Sequence, residues 1–260
     1  MRVIQCCTVM TMLSSIRMRG ESLSVFYPDV CQVCREVPAS IADGYVCEAC
    51  RGRVRFIDSP MCQRCGLPYA GNISGDFTCG NCEGQHLYFE RARASVFPSG
   101  LMRDVIHQFK YSSATWFEPF VAETFLQQAL PDLTGGNWDA VVPTPLHPVK
   151  LRERGFNQAE CLAVPLAERL RVPLMNDDLA RVKFTCPQAT LSRADRFENM
   201  RGAFNVNLNS SITGKRLVLV DDVMTTGATV NACAEALKRG GAIEVTVWTL
   251  SRGGLSADLA

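Results

Sequence analysis

A chain of 260 residues, 47% hydrophobic and 20% charged, is long enough for one or two globular domains with a sizeable core. Its formal net charge of +1 excludes a strongly basic protein that coats DNA through overall charge, while leaving local basic patches open. No apolar run reaches the length of a membrane span, so no membrane insertion is expected. The opening Val3 to Ile16 is too polar for a signal core, and residues 1–24 read as a loose amino-terminal extension in which an over-early start accounts for the first 22. A cytoplasmic location is the corresponding expectation.

Thirteen cysteines are many for such a chain, and their placement accounts for most of them. Eight form four Cys-x-x-Cys pairs, Cys31/Cys34, Cys47/Cys50, Cys62/Cys65 and Cys79/Cys82. Twelve residues separate the first two pairs and thirteen the second two, an internal repeat of two short units. Each pair presents two thiolates from one tight turn, and two pairs complete a tetrahedral zinc site. Gly66, directly after Cys65, suits the left-handed turn this needs. The segment is poor in large apolar side chains, so metal binding has to supply its folding energy. Disulfides are disfavoured in a cytoplasmic chain, and a redox pair would not explain four copies. Two structural zinc ions are expected across residues 25–85. Spacing leaves sequential and interleaved pairing open, sequential being the simpler. Arg51, Arg53, Arg55 and Arg64 form a basic cluster here, either a nucleic-acid contact or a solvated face. Of the other cysteines, Cys233 reads as packing, and neither it nor Cys186 has a histidine beside it that would make a catalytic thiol.

Residues 86–252 read as an α/β domain. Phe89 to Phe97 alternates like a strand. Leu101, Val105, Ile106 and Phe109 share one helical face, with His107 and Lys110 projecting elsewhere. Glu118 to Leu130 is a second amphipathic helix, followed by a turn over residues 131–137. Asp139 to Val142 is a short apolar strand running into a proline-stiffened loop, Pro143 to Lys150. Lys150, Arg152 and Arg154 then place cations around Gly155. Asn157 opens a helix through Leu162, Leu166 and Leu170, which Pro165 should kink. A short helix bears Arg193, Arg196 and Arg201 before a strand start at Ala203-Phe204. Ile243 to Leu250 is the last strand, and the tail from Ser251, with residues 253–260 beyond the domain, is expected to fray.

Between these lies Leu217-Val-Leu-Val-Asp-Asp-Val-Met-Thr-Thr-Gly-Ala-Thr229. Leu217 to Val220 reads as a buried strand with Asp221 and Asp222 at its carboxyl end. The hydroxyl-rich turn Thr225 to Thr229 opens onto a helix whose apolar stripe is Val230, Ala234 and Leu237, ended by Gly240-Gly241. A helix N-terminus favours a phosphate, while two adjacent carboxylates need sugar hydroxyls or magnesium as partner. The basic loop after the Asp139 strand would face the same sheet end, where open α/β sheets bind ligands.

This stretch resembles the phosphoribosyl pyrophosphate (PRPP) motif of type I phosphoribosyltransferases, which implies a parallel sheet flanked by helices. The cysteine repeat, Pro143-Thr-Pro-Leu146, Arg154-Gly-Phe-Asn-Gln158, and Gln188-x-x-Leu191 through Asn199 to Phe204 extend the resemblance to the ComF/GntX family, a small double zinc ribbon preceding that domain, over residues 25–252. The resemblance implies a role in DNA uptake during competence or in using DNA as a nutrient. It implies that Asp221 and Asp222 hold the ribose hydroxyls or a bridging magnesium, and that Thr225, Thr226, Gly227 and Thr229 cradle the 5′-phosphate. Thr144 would belong to the pyrophosphate loop, and Arg152 and Arg154 to a flexible loop covering pyrophosphate. The catalytic candidates are Arg152, Arg154 and Asp222. Thr225 stands where 6-oxopurine enzymes carry a purine-contacting aspartate, which speaks against a 6-oxopurine acceptor. Two readings follow: a phosphoribosyltransferase using PRPP and magnesium, and a non-catalytic PRPP- or single-stranded-DNA-binding accessory that meets a DNA-uptake helicase or channel protein.

Overall fold

The computed structural model describes residues 29–253 apart from 59, 70, 72–74, 76, 113 and 186–191. The expected extension, the Gln188-x-x-Leu191 motif and residues 254–260 fall outside the described residues. The strands are Arg91–Val96 (β1), Ala140–Pro143 (β2), Leu179–Arg181 (β3), Phe204–Val206 (β4), Arg216–Met224 (β5) and Glu244–Arg252 (β6). The longer helices are Gly100–Tyr111 (α1), Glu118–Leu133 (α2), Pro148–Arg154 (α3), Gln158–Leu170 (α4), Arg193–Met200 (α5) and Ala228–Arg239 (α6).

Among the described residues, β1, β6, β5 and β2 lie side by side in that order, all parallel. A parallel sheet is covered on both faces, so its strands read as near-continuous apolar runs, and Leu217 to Val220 are fully buried. Alternation along β5 sends Val218 and Val220 into a core shared with α1, α2 and α4, and Leu217 and Leu219 into one shared with α6. β3 and β4 form a separate antiparallel pair.

Several boundaries differ from the sequence reading. β5 runs on through Asp221 and Asp222 to Met224, because β6 offers ladder partners as far as Met224–Arg252. The tail expected to fray from Ser251 is therefore strand, with Ser251 and Arg252 buried. α2 continues past Pro131 to Leu133. Tertiary contacts hold that last turn: Leu133 is buried, its carbonyl accepts from Trp138 Nε1, and Asp132 accepts from Arg91 and Trp248. Pro148 to Arg154, read as loop, is the short helix α3, with a proline in its first turn and Gly155 ending it. Asn157 caps α4 as expected, its side chain accepting from Ala159 N, and the helix is continuous through Pro165.

The cysteine-rich segment packs directly against the sheet domain. Arg51 at the end of a single helical turn, Glu48–Arg51, pairs with Glu123 of α2 and lies over the Phe120 ring at 5.0 Å. Val46, Cys47 and Cys50 share a core with Phe120, Val121 and Phe125. The second unit sits on β1, where Ala92 N donates to Arg64 O at 2.7 Å and Arg93 Nη1 donates to Gln63 O at 3.0 Å. Gly66 has φ +63°, and a Cβ there would stand 2.5 Å from Ala92 O, so glycine is required by both conformation and space.

Candidate functional site

Two features carry chemistry, a pair of thiol clusters and the carboxyl end of β5. The backbone turns at each Cys-x-x-Cys converge so that Cys31, Cys34, Cys47 and Cys50 form one group and Cys62, Cys65, Cys79 and Cys82 another. Within each group the ligand atoms lie within 4.8 Å of one another. Pairing is thus sequential. Sulfur separations of 3.8 Å for Cys34–Cys47, 3.9 Å for Cys62–Cys82, 3.6 Å for Cys65–Cys79 and 3.7 Å for Cys79–Cys82 match the edge of roughly 3.8 Å that a tetrahedron with zinc–sulfur bonds of about 2.3 Å requires. All eight thiols are free rather than bridged.

Electrostatics agree with a cation. Burial raises the Cys31 thiol, but the backbone N–H groups of Cys47, Cys34 and Val33 outweigh it and bring Cys31 down to about 6. Burial and the neighbouring thiols push Cys50 up to about 12. In the second cluster Cys62 is lowered to about 7 against burial by backbone donors, while burial and Cys65 push Cys79 up to about 11 and raise Cys82 further. The cost of ionising the raised thiols Cys50, Cys79 and Cys82 is one that a bound dication offsets. The two knuckles repeat the same supporting bond: Cys47 N donates to Cys31 Sγ at 3.4 Å, and Cys79 N to Cys62 Sγ at 3.3 Å. In the basic cluster, Arg51 is engaged with α2, and Arg64 donates to the carbonyls of Leu87 and Phe89. Arg53 and Arg55 remain exposed, Arg55 over the Phe97 ring.

At the other feature, β5 delivers Asp221 and Asp222 to the sheet's carboxyl end. Successive strand residues face opposite ways, so the two carboxylates differ: Asp221 is 8% exposed and Asp222 is half-buried. Asp221 Oδ1 accepts from Asp222 N at 2.9 Å, and Asp222 Oδ1 from Val223 N at 2.6 Å. Burial, with Asp222 beside it, pushes Asp221 up to about 8, against the lowering pull of Lys110. The turn that follows reaches Gly227 at φ +86°, the N-cap of α6, where Ala228 N donates to Thr226 Oγ1 at 3.4 Å. Thr225 is exposed and Thr226 and Thr229 are half-buried, so the turn opens to solvent.

The loop after β2 stands beside this end because β2 pairs with β5 at Pro143↔Val220. Thr144 N donates to Val220 O at 2.8 Å, and Asn157 Nδ2 donates to Thr144 O at 3.1 Å. Thr144 Oγ1 is buried without a hydrogen bond that meets ordinary geometry. Arg154 lies over the Tyr111 ring at 5.2 Å and donates to Gln158 Oε1, whereas Arg152 is exposed on α3. Cys233 is fully buried against Asp221 and Thr144, as packing requires.

Two residues at this end escaped the sequence reading. Lys110, expected to project away, comes from the last turn of α1 to within 2.8 Å of Asp222 Oδ2. Phe109 packs against Phe156 with ring centroids 5.0 Å apart and tilted at 57°, which holds that end of α1 beside the loop after α3. Arg181 of β3 is half-buried over the Phe204 ring and close enough to Asp221 and Arg154 to feel both charges. A three-residue strand leaves little periodic signal, and a lysine one position off an apolar stripe reads as solvent-facing. No helix among the described residues is long and apolar enough to cross a membrane.

Asp221's position between an acidic neighbour and Lys110 fixes a pH dependence. Ionising Asp221 adds a carboxylate charge here, so were the site to take a ligand carried by a cation, its binding would be expected to rise as pH passes through about 8. Removing Lys110 takes away the lowering influence, so Lys110→Met moves that rise to more alkaline pH. Titration calorimetry at several pH values from about 6 to 9 checks both, and a flat profile for the two proteins contradicts the assignment. The sign for stability is opposite. The folded protein holds this proton more tightly than the unfolded chain, so stability from this group is complete below 3.8 and is lost as pH rises through about 8.

Comparison with known proteins places both features. A model of the double zinc ribbon domain matches residues 22–83, and one of the phosphoribosyl transferase domain matches residues 157–257. Competence protein F of Haemophilus influenzae is 30% identical over 221 residues, covering 79% of this chain and 96% of that protein. DNA utilization protein YhgH of Salmonella typhi is 33% identical over 228 residues, covering 86% of this chain and 97% of that one. Among solved structures, the chain is similar to the glutamine PRPP amidotransferase from B. subtilis, 21% identical over 55% of this chain and 30% of that chain, with a TM-score of 0.37.

Proposed function

The chain belongs to the ComF family of competence and DNA-utilisation proteins, combining a double zinc ribbon with a phosphoribosyltransferase-type domain, and we propose that it binds PRPP with magnesium at the carboxyl end of β5. One observation carries this reading: Asp221 and Asp222, the open turn Thr225 to Thr229 and the Thr144 loop converge at one end of one parallel sheet. In this reading residues 25–85 form the ribbon and 86–252 the binding domain, and the protein acts in DNA uptake or in the use of DNA as a nutrient.

The roles follow from chemistry. The 5′-phosphate sits on the turn, where Gly227 lets backbone approach and the hydroxyls of Thr225, Thr226 and Thr229 donate. Asp221 and Asp222 accept from the ribose hydroxyls. Magnesium, a hard cation suited to this carboxylate pair, would neutralise pyrophosphate charge when bound there. Lys110 keeps Asp222 paired before ligand arrives. The buried hydroxyl of Thr144, beside Cys233, stands at the start of the pyrophosphate loop. Arg152 and Arg154 on α3 would meet the charge that builds as pyrophosphate leaves and the anomeric carbon gains oxocarbenium character. Calorimetry with PRPP and magnesium on zinc-replete protein tests the binding claim. Micromolar affinity that needs the metal is expected, and no heat at millimolar PRPP overturns it.

A second reading is favoured by a specific feature. Asp221 and Asp222 are the carboxylates between Leu217 and Thr229, and Thr225 occupies the purine-contacting position, so this stretch offers an acceptor base no carboxylate of its own. That pattern suits PRPP binding without transfer, in an accessory of the DNA-uptake machinery. Pyrophosphate release with candidate bases separates the two: release marks a transferase, binding without release on any base an accessory.

A further inference from the structure

Arg252 ends β6 with 2% of its surface exposed, and its guanidinium has an unusual set of partners. Nε donates to Cys65 O at 3.1 Å, and Nη2 lies 3.7 Å from Cys65 Sγ. Nη1 donates to Met224 O at 3.0 Å, to Gly253 O at 2.5 Å, and to Thr225 O. One side chain thus touches a cysteine of the second thiol cluster and the two carbonyls at which β5 becomes the phosphate-seeking turn. None of the ion pairs among the described residues gives Arg252 a carboxylate. A buried guanidinium without a counter-charge is strongly unfavourable. The concentrated negative charge in reach is the cluster itself, since four thiolates around a dication leave two charges uncancelled.

Other contacts follow the same route. Cys62, Cys65 and Cys82 share an apolar core with Met224, which leads into the turn, and Ala228 within it. Beyond Cys82, Tyr88 N donates to Asn231 Oδ1 at 2.9 Å and Asn231 Nδ2 donates to His86 O at 3.2 Å, tying that segment to the first turns of α6. The first cluster meets β5 elsewhere: Cys31, Cys47 and Cys50 lie in the core built on α2, which includes Val218 and Val220 but neither Met224 nor Ala228.

We propose that Arg252 is a positioning residue that couples the second metal cluster to the turn Met224 to Thr229, so that this cluster, and not the first, sets how well the turn is formed. Where the turn binds PRPP, which rests on the function proposed above, the coupling is reciprocal: metal at the second cluster tightens PRPP, and PRPP tightens metal at that cluster by the same free energy.

Amide hydrogen exchange over residues 224–229, in metal-replete protein without ligand, decides the coupling independently of any PRPP chemistry. Cys79→Ser, which breaks the second cluster, and Arg252→Met are each expected to speed exchange there about tenfold or more, and the double variant little further. Cys34→Ser, which breaks the first cluster, should leave it unchanged. Equal effects of Cys34→Ser and Cys79→Ser, or none from Cys79→Ser, overturn the proposal. Should Arg252→Met fail to fold, the two cysteine variants decide it alone. Arg252→Lys, which keeps the charge but not the planar fork, should fall between wild type and Met in exchange rate. In the ligand arm, Cys79→Ser weakens PRPP about tenfold relative to Cys34→Ser. Wild-type protein that fails to bind PRPP removes the proposed function and leaves the exchange result to judge the tether.

Discussion

Replacing Asp221 and Asp222 together by alanine abolishes measurable PRPP binding while the fold survives. The pair supplies the negative charge that holds sugar hydroxyls and a magnesium ion at the end of β5, and hydrogen bonds to charged groups contribute about 1.5–3 kcal/mol each. Losing both weakens binding by about two to four orders of magnitude at roughly 1.4 kcal/mol per tenfold. The fold is expected to tolerate the change. Asp221 is a buried acid held above its ordinary range, so folding already opposes its charge, and alanine removes that conflict. Asp222 is half-buried, and its pairing with Lys110 is a single contact at the rim of the sheet. The backbone ladder that positions both residues runs from Arg216 to Met224 against β6, and beyond that pairing the variant loses the two local bonds from Asp222 N and Val223 N to the carboxylates. Calorimetry for PRPP and a thermal melt, read together, check the prediction. Unchanged affinity, or a variant that no longer melts cooperatively, contradicts it.

The strongest parts of this site were legible because local chemistry dictates them. An apolar run such as Leu217 to Val220, followed by two acids and a hydroxyl-rich turn on one glycine, has few folded alternatives, and the structure makes it strand, turn and helix. Four Cys-x-x-Cys pairs in two units likewise announce two clusters. The extent of β5 and β6 was not legible, since Asp221, Asp222, Ser251 and Arg252 lack strand periodicity and stay extended through mutual pairing. Lys110 and Arg252 were missed for a related reason. Each acts through a residue more than a hundred positions away, Lys110 on Asp222 and Arg252 on Cys65, and spacing along the chain carries no trace of that. Arg64 shows the converse: it reads as a surface cation by type, yet its guanidinium donates to the Leu87 and Phe89 carbonyls.

Cys31→Ser is expected to lower zinc from two ions per chain to one and to release the first ribbon from α2. Zinc at such sites contributes about 10–16 kcal/mol of apparent binding free energy near neutral pH, comparable with the roughly 5–15 kcal/mol that stabilises a whole domain. The apolar contribution of this unit is small beside that. Val46 is its fully buried aliphatic side chain against the Phe120 and Phe125 core, worth about 1.5–3 kcal/mol. Three thiols cannot compensate, because a tetrahedral structural site needs four ligands and burial opposes ionising Cys50. The Arg51–Glu123 pair lies at the surface, where such contacts contribute about 1 kcal/mol or less. The sheet domain keeps its own core on the far side of α2, so its melting should shift little while proteases gain access to residues 31–50. Metal analysis by mass spectrometry and limited proteolysis read the two halves of the prediction. Two zinc ions retained in the serine variant, or a first ribbon still resistant to cleavage, would show that these four thiols are not the metal site that holds it.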